Sequence, residues 1–249
     1  MRYFCSVAYD GSNYHGWQSQ KNAISVQQVI EESLTTVLRT KITITGSGRT
    51  DTGVHASEQV FHFDVEKELN QDSLFKFNSI LPQDIALNDL AQVRDDAHAR
   101  FDALQRSYQY QIVRRKSPFL KKHSYLFTKD LDLDKMDRAC QYLLKQKDFE
   151  SFSRVKTDVN NFLCQLSEAY WEERNEMLVF HVSSNRFLRG MVRAMVGTLL
   201  DIGTGKLNLT ELKSVLKSRD RKKAGRAVPA EGLFLSRVEY PDHIFSLKP

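Results

Sequence analysis

The feature that most constrains this chain is an eleven-residue segment, residues 46–56, which holds three glycines, an acid, a base and a histidine. It follows the β-rich residues 42–45 and precedes an alternating segment at residues 60–65. Because glycine permits tight turns and close approach of a ligand to the backbone, we predict a shaped loop, here called the aspartate loop. Asp51 lies two residues after Arg49, whose guanidinium would favour the ionised carboxylate. Asp51 is a candidate nucleophile or base, and a surface turn with a local ion pair is the alternative.

Apolar periodicity predicts mixed strands and helices in the first half of the chain. Residues 2–9 alternate as a strand does, and a turn-rich aromatic segment follows over residues 9–18. Ser25, with Gln28 three residues later, has the pattern of a capping box before a helix with a single apolar stripe. Further strands are expected at residues 60–65, near Leu87 and at residues 105–113.

The second half repeats this scheme loosely. A helix is predicted from Asp134, and a hairpin is predicted to turn at Asn175 and Glu176. The next helix is expected over about residues 186–202, with Gly203 as its C′ glycine. A short basic helix after Leu209 and a closing strand at residues 233–240 complete the prediction.

The positive charge is concentrated in two segments. The chain has a net charge of +5, yet residues 205–227 carry +6 and residues 102–123 carry +5, so the remainder is acidic. Two concentrated basic segments favour a polyanionic partner such as nucleic acid over a merely solvated face. In the predicted helix from residue 186, three arginines would also line one flank: Arg186, Arg189 and Arg193.

Several kinds of functional site find no support in the sequence. The seven histidines are scattered, with no pair at i, i+4 and no His/Cys cluster at ligand spacing, so no metal site is expected. No phosphate-binding GxxxxGK[ST] run occurs. Three widely spaced cysteines are expected to be buried thiols in a reducing compartment: Cys5, Cys140 and Cys164.

No apolar run approaches the roughly 20 residues that span a bilayer, so no membrane segment is expected. The first residues alternate as a strand does and lack a signal-peptide layout, so a cytoplasmic protein is expected.

Asp51 has no evident partner acid. Ordinary glycoside hydrolysis requires a pair of carboxylates, and Glu58, seven residues on, is expected to be solvated at the start of a strand. The residues therefore favour a single-carboxylate mechanism that acts on RNA or a nucleotide.

Seven motifs in a fixed order resemble the TruA family of tRNA pseudouridine synthases, which modify positions 38 to 40 of the anticodon stem–loop. The resemblance extends over about residues 3–240. This chain departs from the usual pattern at two positions, with Ser47 in place of a cysteine and Ala194 in place of an asparagine. The motifs are Tyr9-Asp10-Gly11-Ser12 with Tyr14, Gly16, Trp17 and Gln18; residues 48–56; His98-Ala99-Arg100-Phe101; residues 106–110; residues 148–152; residues 187–193; and residues 230–235.

The resemblance implies that Asp51 is the catalytic aspartate. The reaction breaks the N-glycosidic bond of uridine, turns the base and rejoins it through C5. Since no atom enters or leaves, no cofactor or metal is implied. The carboxylate could add to the base, attack the sugar or take a proton from the sugar, and the sequence does not choose among these.

The resemblance also implies roles for further residues. Arg49 would pair with Asp51 and help to hold the flipped nucleotide. Tyr108 would stack on the uracil, and Leu233 would close the pocket over the base. Arg193 would pair near the catalytic acid. The remaining candidates would bind RNA phosphates without reading sequence: Arg186, Arg189, Arg221, Lys222, Lys223 and Arg226.

We therefore expect an α+β protein of two related β/α halves, whose antiparallel sheets join into one extended sheet flanked by helices, with a basic active-site cleft between the halves. The basic segment at residues 114–123 indicates a connector, which gives an N-terminal half at residues 1–113 and a C-terminal half at residues 114–249. The resemblance implies a homodimer that binds the anticodon arm of tRNA. A non-catalytic tRNA-binding or chaperone protein and a nucleoside-specific glycosidase are the alternatives.

Overall fold

The computed structural model describes residues 1–155 and 161–245, which form two compact units. The first unit comprises Met1–Gln105 with Phe234–Pro249, and the second comprises Arg106–Leu233. The expected division after residue 113 falls inside the second unit. The reason is that the strand predicted at residues 105–113 belongs almost entirely to the second unit, while the last strand returns to the first.

The described residues contain nine strands and five α-helices, which confirms the α+β class. The strands are β1 (Arg2–Tyr9), β2 (Thr45–Gly46), β3 (His55–Asp64), β4 (Ile85–Val93), β5 (Gln105–Val113), β6 (Tyr125–Leu126), β7 (Leu166–Arg174), β8 (Met177–Ser184) and β9 (Leu233–Glu239). The helices are α1 (Val26–Leu38), α2 (Gln71–Ile80), α3 (Leu133–Leu143), α4 (Met191–Gly203) and α5 (Leu209–Ser218).

In the first unit the strand order is β4-β1-β3-β9, and β2 pairs with β3. The β1–β3 and β1–β4 pairs are antiparallel, whereas β3 and β9 are parallel, with His55 opposite Phe234. Phe61 and Phe63 are buried as predicted, and Val60 and His62, which alternate with them along the strand, are buried too. Both faces of β3 are therefore buried over residues 60–63, whereas the sequence pattern had predicted a single buried face.

Helix α1 begins as predicted, with the Ser25 hydroxyl oxygen accepting a hydrogen bond from the Gln28 backbone N–H at 3.3 Å. The reciprocal half of the capping box is not part of the cap that the structure shows. Helix α2 was not predicted. It is capped by Asn70 and Ser73, and only two of its apolar side chains, Leu74 and Phe77, are buried, so its sequence carries a weak stripe.

In the second unit the strand order is β5-β8-β7, all antiparallel, and the short β6 runs parallel to the end of β5. The predicted hairpin is confirmed. Asn175 and Glu176 have φ angles of 46° and 68°, the pair of left-handed residues that a two-residue type I′ turn requires. Helix α3 buries the predicted stripe of Met136, Ala139 and Cys140.

The predicted start of helix α4 was wrong, and so was the C′ position predicted for Gly203, while the helix ends within one residue of the predicted Ile202. The helix begins at Met191, because Gly190 adopts a left-handed backbone (φ 71°), and residues 186–189 precede it as a loop. Gly203 is the last helical residue rather than C′. A Cβ on Gly203 would lie 2.4 Å from the Met136 sulfur, so this glycine permits close packing against α3. After the end of α4, the glycine with a left-handed backbone is Gly205 (φ 75°).

The three cysteines are buried thiols, as predicted. Burial raises the pKa of Cys164 to about 11, so this thiol is neutral near pH 7. None of the helices in the described ranges is long and apolar enough to cross a bilayer.

His62 is packed within β3 and organises the motif at residues 98–101. Its Nδ1 accepts a hydrogen bond from the Ala99 N–H at 3.1 Å, and its ring lies 4.7 Å from that of His98. Burial, followed by the charge of Arg2, lowers the pKa of His62 to about 4. His62 is therefore neutral in the folded protein near pH 7.

This buried histidine predicts a loss of stability in acid. The pKa of His62 is near 6.5 in the unfolded chain and about 4 in the folded protein. Its contribution to the free energy of unfolding is therefore complete above pH 6.5 and is lost as the pH falls towards 4. We expect this residue to account for roughly 2–3 kcal/mol of the fall in the free energy of unfolding over that range, at 1.36 kcal/mol per pKa unit. His62→Asn keeps an acceptor for Ala99 and should flatten the profile measured by urea denaturation, whereas the exposed-site variant His15→Asn should not. Superimposable profiles for His62→Asn and the wild type would contradict the assignment.

Candidate active site

The aspartate loop connects β2 to β3 in the first unit and is anchored at its base. The Ser47 N–H donates to the Val60 carbonyl at 2.7 Å, and the buried Gln59 amide donates through Nε2 to the Gly48 carbonyl at 3.1 Å. These bonds hold the start of the loop against the strand to which it leads.

The residue before Asp51 is fixed through both its backbone and its side chain. The Thr50 carbonyl accepts from the Trp17 N–H at 3.2 Å, and the Thr50 hydroxyl is hydrogen-bonded to the Tyr9 hydroxyl at 2.8 Å. The Asp51 carbonyl accepts from the Val54 N–H at 3.1 Å, which turns the chain sharply. The Asp51 side chain is partly exposed, so a rigid backbone presents a solvent-accessible carboxylate.

The turn-rich segment at residues 9–17 packs tightly on the aspartate loop through glycines. Gly16 has φ 86°, and a Cβ on it would lie 2.4 Å from the Thr50 carbonyl oxygen. A Cβ on Gly11 would lie 2.0 Å from the Val54 carbonyl oxygen, and one on Gly46 would meet the Trp17 indole at 2.5 Å. Gly11 and Gly16 therefore permit close approach between two backbones, and Gly46 leaves room for the Trp17 indole.

His55 ends the aspartate loop and is buried. Its Nδ1 accepts a hydrogen bond from the Gly11 N–H at 3.1 Å, and its ring stacks on Phe234 at 4.6 Å. The ring therefore joins the loop, the 9–17 segment and β9 within the first unit.

Arg49 and Asp51 both lie on the aspartate loop, with Arg49 exposed and Asp51 partly buried. Their pairing stays a prediction. The other three residues assigned to the substrate, Tyr108, Arg193 and Leu233, belong to the second unit.

Tyr108 lies on β5, partly exposed, with its ring edge-to-face against Phe187 at 5.1 Å. Tyr110, two residues on, is fully buried, and its hydroxyl donates to the Pro229 carbonyl at 2.8 Å. A Cβ on Gly232 would lie 2.7 Å from the Tyr110 ring, so the segment that leads to the buried Leu233 lies directly on that ring. Tyr110 therefore supports the segment that positions Leu233.

Arg193 is the third residue of α4 and is held by the chain at Val228. Its Nε donates to the Val228 carbonyl at 2.6 Å, while its own carbonyl accepts from the Val228 N–H at 3.2 Å. Ala194, where the resemblance leads one to expect asparagine, is fully buried in the core. The position of Arg193 therefore depends on backbone groups rather than on the side chain at residue 194.

The predicted line of arginines on one helix flank was wrong, because α4 begins only at Met191. Arg186 and Arg189 lie in the preceding loop. The Arg189 carbonyl accepts from the Arg154 N–H at 2.9 Å, and Arg186 donates to the Asn161 side chain at 3.4 Å. Arg154 is a basic residue near this loop that the sequence reasoning did not select.

The basic residues at 221–226 differ in their surroundings. Arg221 donates to the Ala224 and Gly225 carbonyls at 3.4 and 3.0 Å, and burial lowers its pKa. Its guanidinium therefore also stabilises this turn. The exposed members of the group are Lys222, Lys223 and Arg226.

The residues that fix the aspartate loop from outside it were not predicted from the sequence. Tyr9 and Gln59 hold Thr50 and Gly48, and neither stands out by residue type. The sequence signal for Tyr9 was its place as the first residue of one of the seven motifs.

The chain matches the family model described as tRNA pseudouridine synthase over residues 5–102 and 139–241. It is 46% identical over 248 residues to a tRNA pseudouridine synthase A of Bacteroides fragilis, with 98% of each chain covered. It is 42% identical over 249 residues to that of Porphyromonas gingivalis, covering 98% of this chain and 99% of the relative. It is 36% identical over 238 residues to that of Caldicellulosiruptor bescii, covering 94% of this chain and 98% of the relative.

The glycine packing predicts a sharp contrast between two substitutions. Gly11→Ala should lower the free energy of unfolding by about 2–3 kcal/mol, because its Cβ would overlap the Val54 carbonyl oxygen. Gly48→Ala should change it by less than about 0.5 kcal/mol, because nothing lies within 4 Å of the added Cβ. Thermal unfolding of the two variants tests this. Equal midpoints would mean that the two segments do not depend on this close approach.

Proposed function

Because this chain belongs to the tRNA pseudouridine synthase family, we propose that it isomerises uridine to pseudouridine at positions 38, 39 and 40 of the tRNA anticodon stem–loop, with Asp51 as the catalytic residue. The observation that carries this proposal is the partly exposed Asp51 carboxylate on a loop whose backbone is fixed on both sides. Preorganisation of this kind lets a single carboxylate act without rearrangement of the loop.

The proposed reaction needs few protein groups, since the uracil that leaves the sugar is the group that returns. The N-glycosidic bond breaks, the base turns, C5 bonds to the sugar, the C5 proton leaves and N1 takes up a proton, so the composition of the nucleotide does not change. Asp51 would add to the base, attack the sugar or remove a proton from the sugar, and each role requires the ionised carboxylate. No cofactor or metal is part of this scheme.

The other substrate contacts are proposed from the resemblance. Arg49 would hold the flipped nucleotide beside Asp51. Tyr108 would stack on the uracil and assist removal of the C5 proton, Leu233 would cover the base, and Arg193 would pair near the acid. The Arg193 and Leu233 proposals are supported by the hydrogen bonds and packing that hold both residues in place.

Phosphates of the RNA would meet the exposed basic residues. Lys222, Lys223 and Arg226 are exposed and well suited to this role, as is Arg189. Arg186 is partly exposed, and Arg221 would contribute its charge while its guanidinium stabilises the local turn. We further propose a cytoplasmic homodimer, on the family resemblance.

Replacing the carboxylate tests the catalytic assignment. Asp51→Ala and Asp51→Asn should lower pseudouridine formation in the anticodon arm by roughly ten-thousandfold or more, while tRNA binding persists. The control Asp95→Asn changes another carboxylate of the first unit, which is exposed, and should keep full activity. Appreciable turnover by Asp51→Asn would refute the assignment.

The same assay separates the alternatives. A non-catalytic tRNA-binding protein would leave tRNA unmodified at every position, and a nucleoside glycosidase would release uracil, which an isomerisation does not.

The basic cluster predicts a change in salt dependence. Replacing Lys222 and Lys223 by alanine should weaken tRNA binding and reduce the slope of log Kd against log salt by about 1–2, since each phosphate contact releases counterions. Lys67 and Lys76 are exposed lysines outside both basic segments, and their double alanine variant is the matched control. An unchanged slope in the Lys222/Lys223 variant would remove these residues from the RNA-binding surface.

A further inference from the structure

Residues 114–124 comprise the predicted connector at residues 114–123 and Ser124, and they leave the end of β5 and return to it. Ile112 pairs with Tyr125 and Val113 with Leu126, so both ends of the segment are tied to the same sheet. Within it the Leu120 carbonyl accepts from the His123 N–H at 3.0 Å and from the Ser124 hydroxyl at 2.8 Å. The segment is therefore an anchored turn, here called the β5–β6 turn.

Phe119 projects from this turn with 92% of its surface exposed, the most exposed large apolar side chain in the described ranges. Pro118 precedes it and restricts the backbone on that side. Single exposed apolar side chains are common, so exposure alone does not define a site. The charges close to Phe119 in the sequence provide the second observation.

The basic residues of the β5–β6 turn fall into two groups. Arg114 donates to the Lys129 carbonyl at 2.8 Å and lies 3.6 Å from Asp130, and Arg115 forms an ion pair with Glu176. The other group is exposed and makes no ion pair with any residue in ranges 1–155 and 161–245: Lys116, Lys121 and Lys122.

We propose that Phe119 stacks on an unpaired base of single-stranded RNA, while Lys116, Lys121 and Lys122 bind the adjoining phosphates. An exposed aromatic ring flanked by cations is the arrangement with which proteins bind single-stranded nucleic acid, because every base offers a π-face. Protein–protein interfaces, in contrast, are depleted in lysine, so the charges favour RNA over a protein partner. This inference rests on the proposed function, which supplies a tRNA with unpaired loop bases.

Binding of oligouridylate, which has no stable secondary structure, tests the stacking directly. Phe119→Ala should raise its Kd about tenfold, and Phe119→Tyr should leave it nearly unchanged. Binding of blunt duplex RNA should not respond to Phe119→Ala, because paired bases do not offer a free face. Phe75→Ala, at a ring that is 76% exposed on α2, is the matched control.

A fluorescent variant gives an independent measurement. The native tryptophans, Trp17 and Trp171, are only 1% and 8% exposed, so Phe119→Trp introduces the sole exposed indole among the described residues. Oligouridylate should quench it, while Phe75→Trp should not be quenched. The triple alanine variant of Lys116, Lys121 and Lys122 should reduce the salt slope for oligouridylate by about 2, at roughly 0.7 per phosphate.

Three outcomes would overturn the proposal. These are unchanged oligouridylate binding by Phe119→Ala, equal losses for single-stranded and duplex RNA, or a change in sedimentation that marks Phe119 as a contact between copies of this chain. If the wild type formed no pseudouridine, the proposed function would be refuted. The role of Phe119 would still be tested by oligouridylate binding. Normal pseudouridine formation together with unchanged binding by Phe119→Ala would overturn this inference alone.

Discussion

The first unit depends on the close approach of two backbones, the 9–17 segment and the aspartate loop. At Gly11 and Gly16 the opposing carbonyl oxygens lie where any Cβ would be, and hydrogen bonds from Trp17 and Tyr9 converge on Thr50. Thr50 immediately precedes Asp51, so this contact sets the direction in which the carboxylate leaves the backbone. A carboxylate on a flexible turn would lack this preorganisation.

Buried polar groups extend the same principle beyond the loop. Gln59 and His55 use side-chain atoms to bond backbone groups of neighbouring segments, and His62 does so for the 98–101 motif. Each replaces water for a backbone group that burial would otherwise leave unsatisfied. Polar side chains in this unit thus join segments that hydrophobic packing alone would leave free to shift.

The basic residues show how local geometry divides similar charges between tasks. Arg221 and Arg114 donate to nearby backbone carbonyls, and Arg115 is paired with Glu176, so these groups hold the chain in place. The lysines beside them extend into solvent. A guanidinium can bridge several carbonyls at once, whereas an ammonium is a strongly hydrated point charge. This difference explains why the arginines bond to the protein chain while the lysines extend into solvent.

The sequence by itself determined the strands with clear alternation, the α3 stripe and the hairpin turning at Asn175 and Glu176, because each depends on neighbouring residues. It also made Asp51 a candidate, through the motif in which this residue lies. It did not determine where α4 begins, since Phe187, Leu188 and Met191 continue a helical spacing across Gly190, whose backbone departs from the helix. Nor could it determine that Gly203 serves packing against Met136, or that Tyr9 holds Thr50. Those contacts join residues distant in the chain, so only the tertiary structure decided them.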